Sequence, residues 1–227
     1  MKRTQSLPLP GRILPRSFFE VPPERVAPLL LGKLLVHKTP GGVMAGRIVE
    51  AEAYLGAHHA TPDPAAHSHR GPTPRNSVLF GLAGHAYVYS IYGRYFCMNI
   101  SCEARGLAGC VLLRALEPVV GLEQMAANRG LTRDDACAPK TARQFASGPS
   151  RLCLAFAITR RVHNGLDLTE PDSPLQVRDD GFAVSEALVT VRIGIRHAAD
   201  LPLRFAIPGH ACVSGPRTLI GKRLNFQ

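Results

Sequence analysis

The sequence predicts an α+β fold: one domain around a mixed, mainly antiparallel β-sheet, with a protruding β-hairpin and surrounding helices. Three observations carry that reading. A chain of 227 residues suits a single sizeable core better than two. Three strand-like stretches, VMAGRIVEAEAYLG, HAYVYSIYGRYFCMNIS and GCVLLRALEPV, follow one another between residues 43 and 119, separated by turn and loop residues. Helical patterning is confined to short segments around them. Residues 1–227 are accordingly taken as one domain, with residues 1–13 and 215–227 at its periphery.

Taken in order, the first thirty residues are proline-rich and are expected to wrap the surface, with a helix starting near Glu24 and running through VAPLLLGKLL. In RIVEAEAYLG, period-two alternation puts Ile48, Glu50, Glu52 and Tyr54 on one face, and Val49, Ala51, Ala53 and Leu55 on the other. Residues 56–77 form a loop rich in His, Pro and Gly. HAYVYSIYGRYFCMNIS reads as a hairpin with Tyr92-Gly93 at its turn. GCVLLRALEPV is a further strand, GLEQMAANRG a helix, and residues 128–146 a polar loop. SGPSRLCLAFAI opens a helix, with Ser147 as cap and Pro149 in the first turn. VTVRIGI and LRFAI are short C-terminal strands, and there is no internal repeat.

Lys and Arg number 27 against 17 acidic residues, a net charge of +10. That balance favours phosphate-bearing partners, nucleic acid before an anionic membrane surface. The basic residues are scattered and build no basic amphipathic helix, which argues against the membrane. The most apolar run, APLLLGKLLV, is interrupted by Lys33, and the N-terminus lacks the continuous apolar segment of a secretory signal. The six cysteines form no CxxC pair and read as reduced, buried residues. A soluble cytoplasmic protein is expected, associated with the nucleoid if bacterial.

Four of the five tyrosines, Tyr87, Tyr89, Tyr92 and Tyr95, lie in the hairpin, and the chain has no tryptophan. Tyr87 and Tyr95 are expected in the core. Tyr92 at the turn cannot easily be buried by its own hairpin. Followed at once by Arg94, it suits insertion between stacked bases, with the cation reaching a phosphate. Glu50 and Glu52, roughly 7 Å apart on one strand face, are either ordinary paired carboxylates or a pair whose pKa values are split for proton transfer. The loop histidines His58, His59, His67 and His69, with Asp63, invite a metal-site reading, yet their spacing matches no standard template.

Together, RIVEAEAYLG, AAHSHRGPTPRN, YVYSIYGRYFCMN and VLLRALEP, followed by SGPSRLCLAFAI and RIGIRHAADLPLRF, resemble the alkyladenine (3-methyladenine) DNA glycosylase family over residues 14–214. The resemblance implies a DNA repair enzyme that flips damaged purines out of the duplex: 3-methyladenine, other alkylated purines, hypoxanthine or ethenoadenine. It implies Glu52 as the base that activates water and Arg114 as its catalytic partner. The flipped base lies between Tyr54 and His67 on one side and Tyr89 on the other, Asn99 clashes with the amino group of guanine, and Tyr92 fills the gap. Arg94, Arg75 and Arg151 are expected on the DNA backbone. No cofactor and no metal are expected; the partner is double-stranded DNA, acted on by a monomer. Neither Lys33 nor Lys38 lies in a motif that would place an amine at the sugar, so the reaction is expected to be a monofunctional hydrolysis. A non-catalytic binder of distorted DNA is the alternative, and a metal-dependent nuclease built on the histidine loop a weaker one. Arg94 departs from the apolar residue common in relatives.

Overall fold

The computed structural model describes residues 9–132, 145–215 and 221–226. Residues 1–8 of the expected N-terminal wrap and residues 133–144 of the polar loop, Cys137 among them, lie outside the described residues. Ten strands form one sheet: β1 (Arg12–Ile13), β2 (Leu34–Thr39), β3 (Gly42–Tyr54), β4 (Ala86–Ile91), β5 (Tyr95–Cys102), β6 (Gly109–Val120), β7 (Leu175–Asp179), β8 (Glu186–Thr190), β9 (Arg204–Ala206) and β10 (Lys222–Asn225). The main path runs β1-β7-β2-β3-β6-β5-β4, and every described pairing is antiparallel, with no parallel member among the described residues. Among the described residues four α-helices, α1 (Pro23–Leu30), α2 (Leu122–Asn128), α3 (Pro149–Ala155) and α4 (Arg160–His163), pack around the sheet.

The fold forks at β3. Its first half pairs with β2, then Glu50, Ala51 and Glu52 pair with Ala206, Phe205 and Arg204 of β9, while β6 runs along the other edge. Two register shifts sit at the fork. Ile48 pairs with Leu116 and Glu50 with Ala115, which makes Val49 an extra residue on β3. Ala51 then pairs with Leu113, which makes Arg114 an extra residue on β6.

These shifts overturn part of the expected face assignment. Ile48 joins Ala51, Ala53 and Leu55 in the main core, whereas Val49 packs with Ala115 and Cys212 outside it. Strict alternation would have placed Ile48 beside Glu50, but one extra residue reverses the phase. Glu50, Glu52 and Tyr54 remain on one side, as expected.

Other elements differ from the sequence reading for local reasons. The first helix stops at Leu30 and does not run on: Pro28 inside it supplies no N–H, Leu31 is extended, and Gly32 takes φ +86°. Leu34 and Leu35 belong instead to β2. Ser147 is not the cap of α3. It pairs with Ala115 in an isolated bridge, and Gly148 precedes Pro149 at φ +116°. The strand expected over VTVRIGI ends at Thr190. Tyr87 is fully buried, but Tyr95 is only half-buried, because it lies beside the hairpin turn. The five described cysteines are all buried.

A buried histidine pair clamps α4 to β2. His37 and His163 approach Nε2 to Nε2 at 3.2 Å, His37 Nδ1 lies 2.8 Å from the Phe156 carbonyl, and the Thr159 N–H lies 3.1 Å from His163 Nδ1. One neutral arrangement satisfies all three contacts: Thr159 donates to His163, His163 to His37, and His37 to Phe156. Burial holds both rings below their ordinary pKa, for His37 with the neighbouring His163 adding to the effect. Charging both would set N–H against N–H.

The unfolded chain therefore takes up these protons first as pH falls. The pair's stability is full above the ordinary value of about 6.5 and is lost progressively below it. Thermal unfolding followed from pH 7.5 to 5 should show a falling midpoint. His37→Leu, which leaves a buried donor unpaired, should cost about 1–3 kcal/mol at pH 7.5 and flatten that pH dependence.

Candidate active site

One row across six strands assembles the chemistry. Tyr87, Asn99, Leu112, Glu52, Arg204 and Thr190 are directly opposite one another in successive pairings from β4 to β8. Residues opposed in this way share a sheet face. Here that face looks away from the main core.

Glu50 and Glu52 are both fully buried and share Arg114. Arg114 Nε reaches Glu50 Oε1 at 3.0 Å and Nη1 reaches Glu52 Oε1 at 3.2 Å. Glu50 also accepts from Arg204 Nε at 2.6 Å and from the Ser214 N–H at 2.7 Å. Glu52 accepts from the Ile193 N–H at 2.8 Å and from the Tyr54 hydroxyl at 3.1 Å. The first of these explains why β8 ends early: beyond Thr190 the chain turns its N–H toward a carboxylate and away from a strand ladder. Burial opposes the charge on Arg114, but Glu52 and then Glu50 outweigh it and hold its pKa above the ordinary value. A carboxylate offers about four acceptor positions. Glu52 uses three among the described residues, two on Oε1 and one on Oε2, leaving a position on Oε2 for a water.

Above this layer lies a cavity of about 460 Å³, lined by Tyr54, His67, Tyr89, Asn99, Leu112 and Arg114 among others. Its size is that of a small-molecule site. Glu52 is not among the lining residues, but Arg114, Tyr54 and Ile193, which hold it, are. The Tyr54 hydroxyl is held well above the ordinary tyrosine pKa by burial and then by the Glu52 charge, so it stays a donor. Asn99 donates Nδ2 to Cys110 Sγ at 3.0 Å, while its buried Oδ1 has no partner among the described residues.

His67 hydrogen-bonds the Tyr87 hydroxyl through Nδ1 at 3.0 Å, and Tyr87 stacks on Tyr89 with ring centroids 5.2 Å apart. Burial, then the nearby Arg75, hold His67 below its ordinary pKa. His67 and Tyr89 already touch edge to face at 4.5 Å. A base between two rings needs about 7–8 Å, two layers of ordinary contact. The slot between these two residues is therefore closed in this state.

The hairpin tip leaves the sheet beside the cavity. Ile91 opposite Tyr95 is the last pair, and Tyr92, Gly93 and Arg94 form the turn. Tyr92 is 90% exposed and has φ +49°, a left-handed conformation that costs a non-glycine residue about 1–3 kcal/mol. Arg75 sits over the Tyr89 ring at 5.9 Å and lines the cavity. Arg151 is exposed beside Arg129, whose pKa is lowered by burial and then by the Arg151 charge. Neither pairs with a carboxylate among the described residues.

The family model described as methylpurine-DNA glycosylase (MPG) matches residues 17–211. The chain belongs to the methylpurine-DNA glycosylase family. A protein from Koribacter versatilis (strain Ellin345), named "Putative 3-methyladenine DNA glycosylase", is 52% identical over 206 residues, covering 91% of this chain and 95% of the relative. Proteins of the same name from Methanoculleus marisnigri (strain ATCC 35101 / DSM 1498 / JR1) and Burkholderia orbicola (strain MC0-3) are 48% and 45% identical, over 88% and 95% of this chain and 98% of each relative. DNA is thus the substrate of this glycosylase family, and DNA repair its setting.

For a methylpurine-DNA glycosylase the geometry is informative in both directions. The structure gathers Glu52, Arg114, Tyr54, His67, Tyr89 and Asn99 at or directly under one cavity, with Tyr92 on its rim. The loop histidines do not converge with acids on a common centre among the described residues: Asp63 is bound by Arg192, His59 by Glu24, and His67 by Tyr87. Sequence reasoning gave no role to Arg192, Arg204, Ser214 or the Ile193 N–H, which come from the far end of the chain; the first two and Ile193 lie in RIGIRHAADLPLRF, a stretch that carried the resemblance without naming a site residue.

Arg192 matters most for the wall. It forms two bonds to Asp63, of 2.7 and 2.8 Å, and lies 4.5 Å over the Tyr54 ring, with both partners fully buried. Removing one partner of such a pair leaves an uncompensated charge. Asp63→Ala should therefore destabilise the fold by about 3–5 kcal/mol in urea denaturation, against well under 1 kcal/mol for Asp172→Ala at the surface.

Proposed function

We propose that this chain excises alkylated purines, 3-methyladenine among them, from duplex DNA by a metal-free, monofunctional hydrolysis that uses Glu52 as base. One observation carries the reading: a buried carboxylate, with one acceptor position open, lies under an aromatic cavity whose rim bears an exposed tyrosine in a strained conformation.

Chemistry at the sugar C1′ requires the nucleotide to leave the stack, at a cost of about a few kcal/mol. Tyr92 offsets part of that cost by occupying the gap, and stacking on Tyr89, Tyr54 and His67 offsets more, roughly 1–3 kcal/mol per base. Entry of the base separates His67 from Tyr89. An uncharged His67 can lie against a cationic alkylated purine without repulsion. Asn99 stands in the floor as the filter against the amino group of undamaged guanine. Arg75 and Arg151 supply charge to the phosphates.

The attacking water donates a hydrogen bond to Oε2 of Glu52. Arg114 holds that carboxylate in line through Oε1 and directs its remaining N–H toward the phosphodiester beside the sugar. As the water oxygen bonds to C1′, the C1′–N bond breaks, its electron pair goes to the purine and the water proton to Glu52. A cationic purine leaves as a neutral base, so one carboxylate suffices where glycoside hydrolysis ordinarily uses two. Hypoxanthine and ethenoadenine are neutral and need a proton that no residue here is assigned to give. No lysine lines the cavity among the described residues, which supports hydrolysis over Schiff-base chemistry.

Single-turnover release of 3-methyladenine and of hypoxanthine from duplex DNA, in EDTA, tests the reading. Wild type should release 3-methyladenine, and Glu52→Gln should slow release by about 10²–10⁴-fold while DNA binding persists. Release that requires an added divalent metal, or that survives in Glu52→Gln, would sink the mechanism. Tyr92→Ala should cut the excision rate by at least about tenfold, because the extruded state loses its plug.

A further inference from the structure

We propose that Arg94 reads the unpaired base on the undamaged strand and favours cytosine over thymine there, an inference that rests on the glycosylase reading above. The two exposed side chains of the turn serve opposite flanks of the hairpin. Tyr92 lines the large cavity, on the hairpin face that carries Tyr89 of β4 and Cys97 and Asn99 of β5. Arg94 lines a separate cavity of about 210 Å³ on the β5 side, with Phe96, Asn128 and Ile158. When Tyr92 enters the stack, the extruded nucleotide occupies its own flank. Arg94, two residues on and so within about 7 Å along the chain, meets what the nucleotide leaves behind.

Arg94 is prepared for a planar partner. Its guanidinium lies 4.7 Å over the Tyr95 ring and pairs with no carboxylate among the described residues. Stacking on an aromatic face leaves the in-plane N–H groups free as a rigid fork. A lone phosphate needs only charge, which Lys would supply as well. A fork held flat beside the wedge suits the edge of a base.

The Watson–Crick edge of an unpaired cytosine offers two adjacent acceptors, O2 and N3, and can take both prongs. Thymine places an N3–H donor at the second position and can take one. Lesions derived from guanine face cytosine, while those derived from adenine face thymine. Arg94 therefore weights the enzyme toward alkylated guanines from the partner-strand side, independently of how the cavity treats the damaged base.

The test uses duplexes that carry a tetrahydrofuran abasic analogue opposite cytosine or thymine, so that no base has to be extruded and only the unpaired base differs. Fluorescence anisotropy should show wild type binding the cytosine duplex roughly tenfold more tightly, within the range of one bidentate contact. Arg94→Met should bring the two within about twofold. Arg94→Lys, which keeps the charge but not the fork, should also lose the preference while retaining more overall affinity. Equal losses on both duplexes, with the salt dependence falling by about one phosphate contact, would reduce Arg94 to a backbone contact and overturn the proposal. A wild type that releases 3-methyladenine but binds both duplexes alike defeats this inference alone. One that releases no base and does not prefer an abasic to an intact duplex defeats the reading beneath it.

Discussion

Two carboxylates and two guanidiniums share one dry patch at the fork of the sheet, and the rest of the site depends on their being mutually satisfied. An unpaired charge in such a place costs several kcal/mol, so Glu50, Glu52, Arg114 and Arg204 stand or fall together. That requirement dictates the surrounding architecture. β9 must pair with Glu50–Glu52, with Phe205 toward the core, so that Arg204 arrives on the opposite face. The chain after β8 must abandon its ladder to bring the Ile193 N–H to Glu52, and Ser214 must return to cap Glu50. Glu52 is thus positioned by its neighbour Glu50, through the arginine they share.

The hairpin separates rigid work from exposed work. Tyr87 and Tyr89 stand on strands and stack on each other, so the wall they build is held by the sheet. Tyr92 sits beyond the last strand pair, packs on nothing and bears a strained backbone. Such strain persists only where the flanking structure overrides local preference, and antiparallel pairing up to Ile91 and Tyr95 supplies that override. The cost is already met in the free protein, which leaves less to reorganise when DNA arrives.

Much of this was legible in the sequence, and the exceptions share a cause. The strands holding Glu52, Tyr89 and Arg114 are short runs of strand-forming residues bounded by turn residues, and the Tyr92-Gly93 turn announces a hairpin, so local chemistry sufficed for their existence. The family motifs brought the same residues together because those motifs are contiguous. What stayed hidden was non-local. Arg192 and Arg204 look like ordinary basic residues until Asp63 and Glu50 are set against them from more than a hundred positions away. The end of the first helix was obscured because Leu34 and Leu35 continue an apolar run that Gly32 has in fact broken. The phase error at Ile48 arose because nothing in the residues Val49 and Arg114 themselves marks an insertion into a ladder.

Those two extra residues carry a final implication. Each reverses the inward–outward order of its own strand, and because they flank the single Glu50–Ala115 pair, one on β3 and one on β6, the two reversals cancel and pairing resumes in register. The site is therefore encoded as much by residue count as by residue identity. Side chains flanking Glu52 can be exchanged for others of similar bulk, but loss of a single residue near Val49 would turn the carboxylates inward among hydrocarbon, and loss near Arg114 would do the same to its cation. Composition can drift through this segment without moving the site, whereas a length change preserves the pattern of faces only when a second one compensates it.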